Sequence, residues 1–381
     1  MRARSLIILL LSLGVAMGAT ALVVHWQASK PTRTVLGSRL LPDLPVNEVA
    51  FLTIKSGDNA VLLAKKESGW VVQERFNYPA DFGRITNLIR KLKEAQVGRQ
   101  FEGSEQTLKR LALKDPDGPQ VSEMEKGIRI VLKDQRQKVL ASVLLGSERQ
   151  RAPNVRGSGG RYLRLGESTK VYLIDEHLRL AQGGAADWLE RQLLQVDPAE
   201  LKRISGATAD GKRVLYSLQR SGPGKELEAV DMVVSGKIKE QEFKRVAGAL
   251  RSLRLIDVVE RQVAPTLDGF PFRLEYELFG GMTYRVYPSA GCSKSSEDQC
   301  LLRLEVGYQE LPAEKDDESV EEVGAEEKSE TEKTPEELAA EARSLNERLS
   351  PWIYRVPWSQ HYGLITDPTR FLEKEKKKGS K

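Results

Sequence analysis

Three short runs, Val49 to Lys55 (VAFLTIK), Ala60 to Lys66 (AVLLAKK) and Gly69 to Gln73 (GWVVQ), decide how this chain is read. Each is rich in β-formers, and Ser-Gly-Asp-Asn and Glu-Ser-Gly separate them, so they read as a strand meander. A helix is expected from Ala80 to Ala95, with Pro79 at its entrance and Ile85, Leu88, Ile89 and Leu92 on one apolar stripe. Val97 to Phe101 then returns as a strand. The pattern recurs: Leu201 to Ala207, Arg213 to Gln219 and Leu227 to Val234 form a second trio. A helix from Lys239 to Leu253 presents Phe243, Val246, Leu250 and Leu253, and Leu255 to Val259 extends from it. The step from the last stripe leucine to the valine of the next strand is five residues in both places, Leu92 to Val97 and Leu253 to Val258. The expected fold is α+β, two repeated antiparallel-sheet-plus-helix modules behind an N-terminal transmembrane helix.

Between the modules, Ile128 to Lys133, Val139 to Leu145, Tyr162 to Leu165 and Val171 to Ile174 read as further strands, with Arg151 to Gly160 as a long loop. Downstream, Phe272, Leu274, Tyr276 and Leu278 alternate with Arg273, Glu275 and Glu277. Leu302, Leu304 and Val306 do the same against Arg303 and Glu305. Period-two alternation implies antiparallel strands with one wet face. The only two cysteines of the chain, Cys292 and Cys300, enclose a polar loop between two of these strands. In an oxidising compartment they read as a hairpin disulfide worth ~2–3 kcal/mol by the loop-entropy estimate.

The start of the chain indicates where it works. Leu6 to Val24 is an uncharged apolar run of 19 residues, enough at ~1.5 Å per residue to cross a hydrocarbon core of roughly 30 Å. Arg2 and Arg4 favour a cytoplasmic N-terminus, which places the remainder outside the cytoplasm. The segment reads as a single-pass inner-membrane anchor or an export signal, and Ala19-Thr20-Ala21 has the form of a cleavage site. Gly14 and Gly18 form one G-x-x-x-G through which two such helices would pack. The expected organisation is anchor or signal over 1–26, tether over 27–45, first module over 46–195 and second over 196–309. An acidic disordered insert follows over 310–333, then a C-terminal helix and docking segment over 334–373 and a basic tail over 374–381.

Charge is unevenly spread. The net charge is +5, yet Glu310 to Glu341 holds 14 acidic residues and three lysines. The folded part is therefore basic, which suits contact with anionic lipid or plain solvation. No aromatic-interleaved basic motif points to nucleic acid. Thr334-Pro335-Glu336-Glu337 opens a helix with a capping-box pattern, and Leu338, Ala342, Leu345 and Leu349 line it. Trp352 to Trp358 reads as extended, heavily buried and docked on the second module.

Chemistry is sparse. His25, His177 and His361 are dispersed, no H-E-x-x-H occurs, and two cysteines without neighbouring histidines make no zinc site. No metal or cofactor is expected. Gly206 to Arg213 mimics a phosphate-binding loop until Arg213 stands where Ser or Thr would hold magnesium, and Asp210-Gly211 reads instead as a hairpin turn. Gly157-Ser158-Gly159-Gly160 is no nucleophile elbow. Catalytic residues are not assigned.

Several segments together resemble the family called domain of unknown function 4340. They are Gly69-Trp70-Val71-Val72 followed by Tyr78-Pro79-Ala80-Asp81; Leu111 to Pro116; Leu145-Gly146 before Arg161-Tyr162-Leu163-Arg164 and Val171-Tyr172-Leu173; Asp187-Trp188-Leu189-Glu190-Arg191; and Trp352-Ile353-Tyr354-Arg355-Val356-Pro357. These are folding motifs: Trp70 and Tyr162 read as core, and Tyr78, Pro79, Ala80, Asp81, Trp188, Trp352 and Tyr354 as structural residues of the family motifs. The resemblance implies an anchored extracytoplasmic accessory protein whose partners are an ABC transporter permease or auxiliary subunits. It carries over no catalytic residue. A hydrolase acting on envelope polysaccharide through unidentified carboxylates is the alternative, since such a pair has no fixed spacing.

Overall fold

A computed structural model describes residues 37–149, 159–179, 182–259, 269–310 and 333–373. The expected membrane span with Gly14 and Gly18, most of the acidic insert and the basic tail lie outside the described residues. No helix among the described residues is long and apolar enough to cross a membrane.

The chain forms β1 (Phe51–Ser56), β2 (Asn59–Lys66), β3 (Gly69–Val72), β4 (Tyr78–Pro79), α1 (Phe82–Glu94) and β5 (Val97–Glu102). After α2 (Glu105–Arg110) come β6 (Ile128–Lys133), β7 (Val139–Arg149), β8 (Gly160–Leu165) and β9 (Lys170–Ile174). Then follow β10 (Gln192–Leu194), β11 (Leu201–Thr208), β12 (Val214–Gln219), β13 (Glu228–Met232), α3 (Glu240–Ala247), β14 (Leu253–Arg254) and β15 (Asp257–Val259). The last elements are β16 (Phe272–Leu278), β17 (Met282–Pro288), β18 (Leu301–Tyr308), α4 (Pro335–Leu349), β19 (Ile353–Arg355) and α5 (Trp358–Gly363). The class is α+β, with large antiparallel sheets and few helices.

Two compact units result. The first takes in Ile54–Asp58 and Thr86–Gln182, with the strand order β1-β6-β7-β8-β9-β5 running from the second half of β1. Leu108, Leu113 and Val171 form a core cluster there, with Phe101, Leu111 and Tyr162 packed on it. The second takes in Ala50–Thr53, Asn59–Ile85 and the chain from Gly183. It holds the order β4-β3-β2-β1, ending on the first half of β1, the pair β10-β14, and an eight-stranded sheet, β13-β12-β11-β16-β17-β18-β19-β15. Taken in sequence, β3-β2-β1-β6-β7-β8-β9-β5 and β13-β12-β11-β16-β17-β18-β19-β15 are the same order strand by strand, and β4 is the one addition.

Local physics explains the elements. In β16 and β18 burial alternates along the strand, Leu274, Tyr276 and Leu278 inward and Arg273, Glu275 and Glu277 outward, as a half-solvated antiparallel sheet requires. Asp210-Gly211 is the turn between β11 and β12, with Gly211 at φ +73°, a region open to glycine. Flanking strands leave no helix N-terminus there for a phosphate.

Three expectations need correction. Pro79 lies in β4 rather than at the helix entrance, where its carbonyl accepts from the Glu190 N–H at 2.9 Å. Asp81 performs the capping, Oδ1 accepting from the Arg84 N–H at 2.8 Å. The second helix is shorter than Lys239 to Leu253: α3 stops at Ala247, Gly248–Leu250 tightens into a 3-10 turn, and Leu253 begins β14. Gly248 is the cause, being a poor helix interior and a good helix end. Trp352 to Trp358 is not one buried extended run, because only Ile353–Arg355 is strand and Trp358 opens α5. Tyr354 is fully buried, whereas Trp352 and Trp358 are half-buried.

Candidate functional site

β17 ends at Pro288, and a turn through Gly291, at φ +81°, leads to Cys292, which is disulfide-bonded to Cys300. Ser289 ties this wall together: its Oγ donates to the Gln299 carbonyl at 2.5 Å and accepts from the Leu301 N–H at 2.9 Å. The facing wall is α5, where spacing by three and four residues puts Trp358, His361 and Tyr362 on one side of the helix. Gln360 fixes that helix, its Oε1 accepting from the Arg254 N–H at 2.9 Å and its Nε2 donating to the Ser252 carbonyl at 3.3 Å. The chain after α5 is riveted by Tyr216, whose hydroxyl donates to the Ile365 carbonyl at 2.6 Å and whose ring meets Phe371 edge-on at 4.8 Å.

Between these walls lies a hollow of about 350 Å³ lined by Phe272, Trp358, His361, Tyr362 and Arg370, among others, and, among the described residues, by no aspartate or glutamate. Tyr362 stacks on Trp358 at 5.0 Å, and the Arg370 guanidinium lies 3.9 Å from its ring centre. Glu242 is gripped by Arg245, at 2.6 and 2.8 Å, while Arg370 reaches it only at 3.5 Å. Burial pushes the His361 imidazole down to about 4, against a smaller upward pull from the Ser289 backbone, so it is neutral at pH 7. Its Nε2 is buried without a hydrogen-bond partner among the described residues. With both bonds of the Ser289 hydroxyl taken up by backbone, serine and histidine do not assemble as nucleophile and base here. The arrangement offers recognition: one guanidinium, one neutral imidazole and aromatic walls. Among the described residues, no group of three His, Cys, Asp or Glu side chains is placed to hold a metal.

Of the residues singled out in the sequence, Cys292 and His361 line the hollow, and those of the family motifs lie elsewhere. Tyr78 meets Trp352 edge-on at 5.0 Å and Tyr354 at 6.3 Å, and the Tyr354 hydroxyl donates to the Leu349 carbonyl at 2.8 Å. Ala80 donates to the Trp70 carbonyl and bridges to Leu189, while Asp81 donates its N–H to the Trp188 carbonyl, all at the start of α1. Trp188 is fully buried, with the Arg84 guanidinium 4.8 Å from its ring centre. The structure thus gathers Trp70, Tyr78, Pro79, Ala80, Asp81, Trp188, Trp352 and Tyr354 about β4 and the segment that leads from it into α1, as packing. Tyr162 stands apart, edge-on to Phe101 at 6.4 Å. Beside it, Arg161 is buried and donates to the Gly146 and His177 carbonyls, and burial lowers its pKa.

A family model described as Domain of unknown function (DUF4340) matches residues 70–268. The chain belongs to this family. No curated protein and no solved structure matches the chain. The DUF4340 match opens at Trp70 in β3 and takes in the helix-entrance residues up to Trp188 and Tyr162 beyond α2, but it stops before β16. Every described residue lining the hollow follows it. Arg245, Tyr362 and Arg370 carried no sequence signal read as functional, and His361 was one of three scattered histidines. The available clue was the Trp358-x-x-His361-Tyr362 spacing, which places an imidazole and two aromatic rings on one helical turn.

Proposed function

We propose that this DUF4340 protein is a non-catalytic accessory scaffold, held to the inner membrane by its N-terminal apolar run and working outside the cytoplasm beside an ABC-type transport or gliding-type envelope complex. The observation that carries this reading is the agreement in order between β3-β2-β1-β6-β7-β8-β9-β5 and β13-β12-β11-β16-β17-β18-β19-β15. Two β-β-β-α-β modules derived by duplication explain that agreement, since independent sheets have many orders open to them. Duplication multiplies a surface, which serves a scaffold more directly than it serves a reaction centre. The Cys292–Cys300 bond supports an oxidising compartment.

In-cell crosslinking of the full-length chain, followed by pull-down and mass spectrometry, tests the proposal. Recovery of an ABC permease with auxiliary subunits is expected, and recovery of lipid or glycan alone overturns it. A basic contact face adds a second expectation, that partner recovery falls as salt rises. Recovery equal at low and high salt removes the electrostatic contribution.

A further inference from the structure

The hollow beside α5 carries a guanidinium, that of Arg370, which is only loosely compensated among the described residues, its one carboxylate contact being with Glu242 at 3.5 Å. Arg245 and Arg370 share the single carboxylate of Glu242, and the shorter contacts belong to Arg245. Arg370 donates otherwise to the Tyr362 carbonyl at 2.9 Å. A guanidinium has five N–H donors, so about three remain for a ligand. Among the described residues, the lining contains no acid to compensate it. The Nε2 of His361, unpartnered among the described residues, is buried behind the same wall and not presented to the hollow. Trp358 and Phe272 supply flat apolar surface, and about 350 Å³ is the size of a small-molecule site.

We propose that this hollow binds a small monocarboxylic acid with an aromatic or cyclic body, its carboxylate on the Arg370 guanidinium and its ring against Trp358 and Phe272. A single planar fork matches a carboxylate, and guanidinium–carboxylate bonds are strong because both partners are charged. A phosphate monoester carries nearly two charges and calls for further cations, which the described lining does not contain. The proposal is independent of the scaffold reading, since a non-catalytic accessory protein can recognise a ligand and a ligand site implies nothing about its partner.

The test is isothermal titration of the full-length chain with phenylacetate and with phenylacetamide, which share a shape and differ in charge. Saturable 1:1 binding of phenylacetate, at least tenfold tighter than that of the amide, is expected. Arg370→Gln should abolish the preference, bringing phenylacetate down to the level of the amide. Should R370Q fail to fold, as judged by its melting temperature, Arg370→Lys keeps the charge and loses the fork, and it should retain a reduced preference for the acid. Equal affinity for acid and amide, no saturable binding, or full acid preference in a folded R370Q overturns the proposal.

Discussion

In one sheet β8 reaches β9 through the short turn Gly166–Thr169, whereas β18 reaches β19 only after the chain has run from Gln309 to Trp352 and formed α4. The strand positions correspond, but the physics that fills them differs. A short turn brings its strands together at little loop-closure cost, while the long excursion must be offset by packing at its far end. That packing is visible: Tyr354 is fully buried, its hydroxyl is bonded to the Leu349 carbonyl, and Ile353 joins Phe270 and Leu301 in a core cluster. The second sheet also carries the Cys292–Cys300 staple before β18. Connection length is thus the variable this strand order tolerates, provided the returning strand brings its own core residues.

The sharpest way to break that comparison is Tyr354→Ala. It removes a large buried aromatic and leaves the Leu349 carbonyl without its donor, so about 3–5 kcal/mol should be lost. Amide hydrogen exchange is the measurement, and β15, β18 and β19 should lose protection. Unchanged protection in those strands would mean that β19 does not close the sheet.

Next in size is a pH effect at the α5 hollow. His361 sits near 4 in the folded protein and 6.5 in an unfolded chain, so between these values the unfolded state binds the extra proton. Stability contributed by the neutral imidazole is therefore present above about pH 6.5 and is lost as pH falls towards 4, up to about 3 kcal/mol. Urea midpoints measured from pH 7 to pH 4 should fall, and His361→Phe should flatten the decline. An equal decline in the variant would assign the slope to other groups.

The staple should contribute slightly less. Cys292 and Cys300 are eight residues apart, and replacing both by serine should cost ~2–3 kcal/mol by loop entropy. The urea midpoint of C292S/C300S, measured against the reduced wild type, separates the bond from the side chains. If the reduced wild type and the double variant differ substantially, packing of the thiols and not the cross-link is responsible.

What sequence could and could not say follows from these same residues. The strands were legible because their apolar residues alternate, and the α1 stripe was legible because Ile85, Leu88, Ile89 and Leu92 recur at helical spacing and are all buried. Their pairing was not legible. That β5 lies beside β9, and β15 beside β19, is decided by long-range contacts which no local pattern encodes. Pro79 was misplaced because proline suits a helix start and a strand edge equally, and the competition was settled by the Glu190 N–H that its carbonyl accepts. The hollow was illegible for a related reason. Arg245, His361 and Arg370 are far apart or unremarkable in sequence, and their imbalance appears only once Glu242 has chosen between two arginines.

The smallest expected effect tests whether α4 is merely a passenger on the long excursion. Thr334 caps it, Oγ1 accepting from the Glu337 N–H at 3.3 Å while Glu337 Oε2 accepts from the Thr334 N–H at 2.8 Å. Those backbone and side-chain bonds to Thr334 hold the Glu337 carboxyl below the usual glutamate range. Asn346 then ties the helix to the sheet, its Oδ1 accepting from the Val306 N–H at 2.9 Å, and Ala342 and Leu349 are buried. Thr334→Ala should cost about 1 kcal/mol if the helix folds as part of the sheet, because the lost cap then weakens a cooperative structure. If α4 frays independently, the urea midpoint will stay fixed while exchange rises only over the first turn, and the stability of β18 will not depend on the excursion above it. A midpoint shift of the full amount, with raised exchange at Val306, would make α4 a working layer of the second sheet that the short turn of the first sheet never needed.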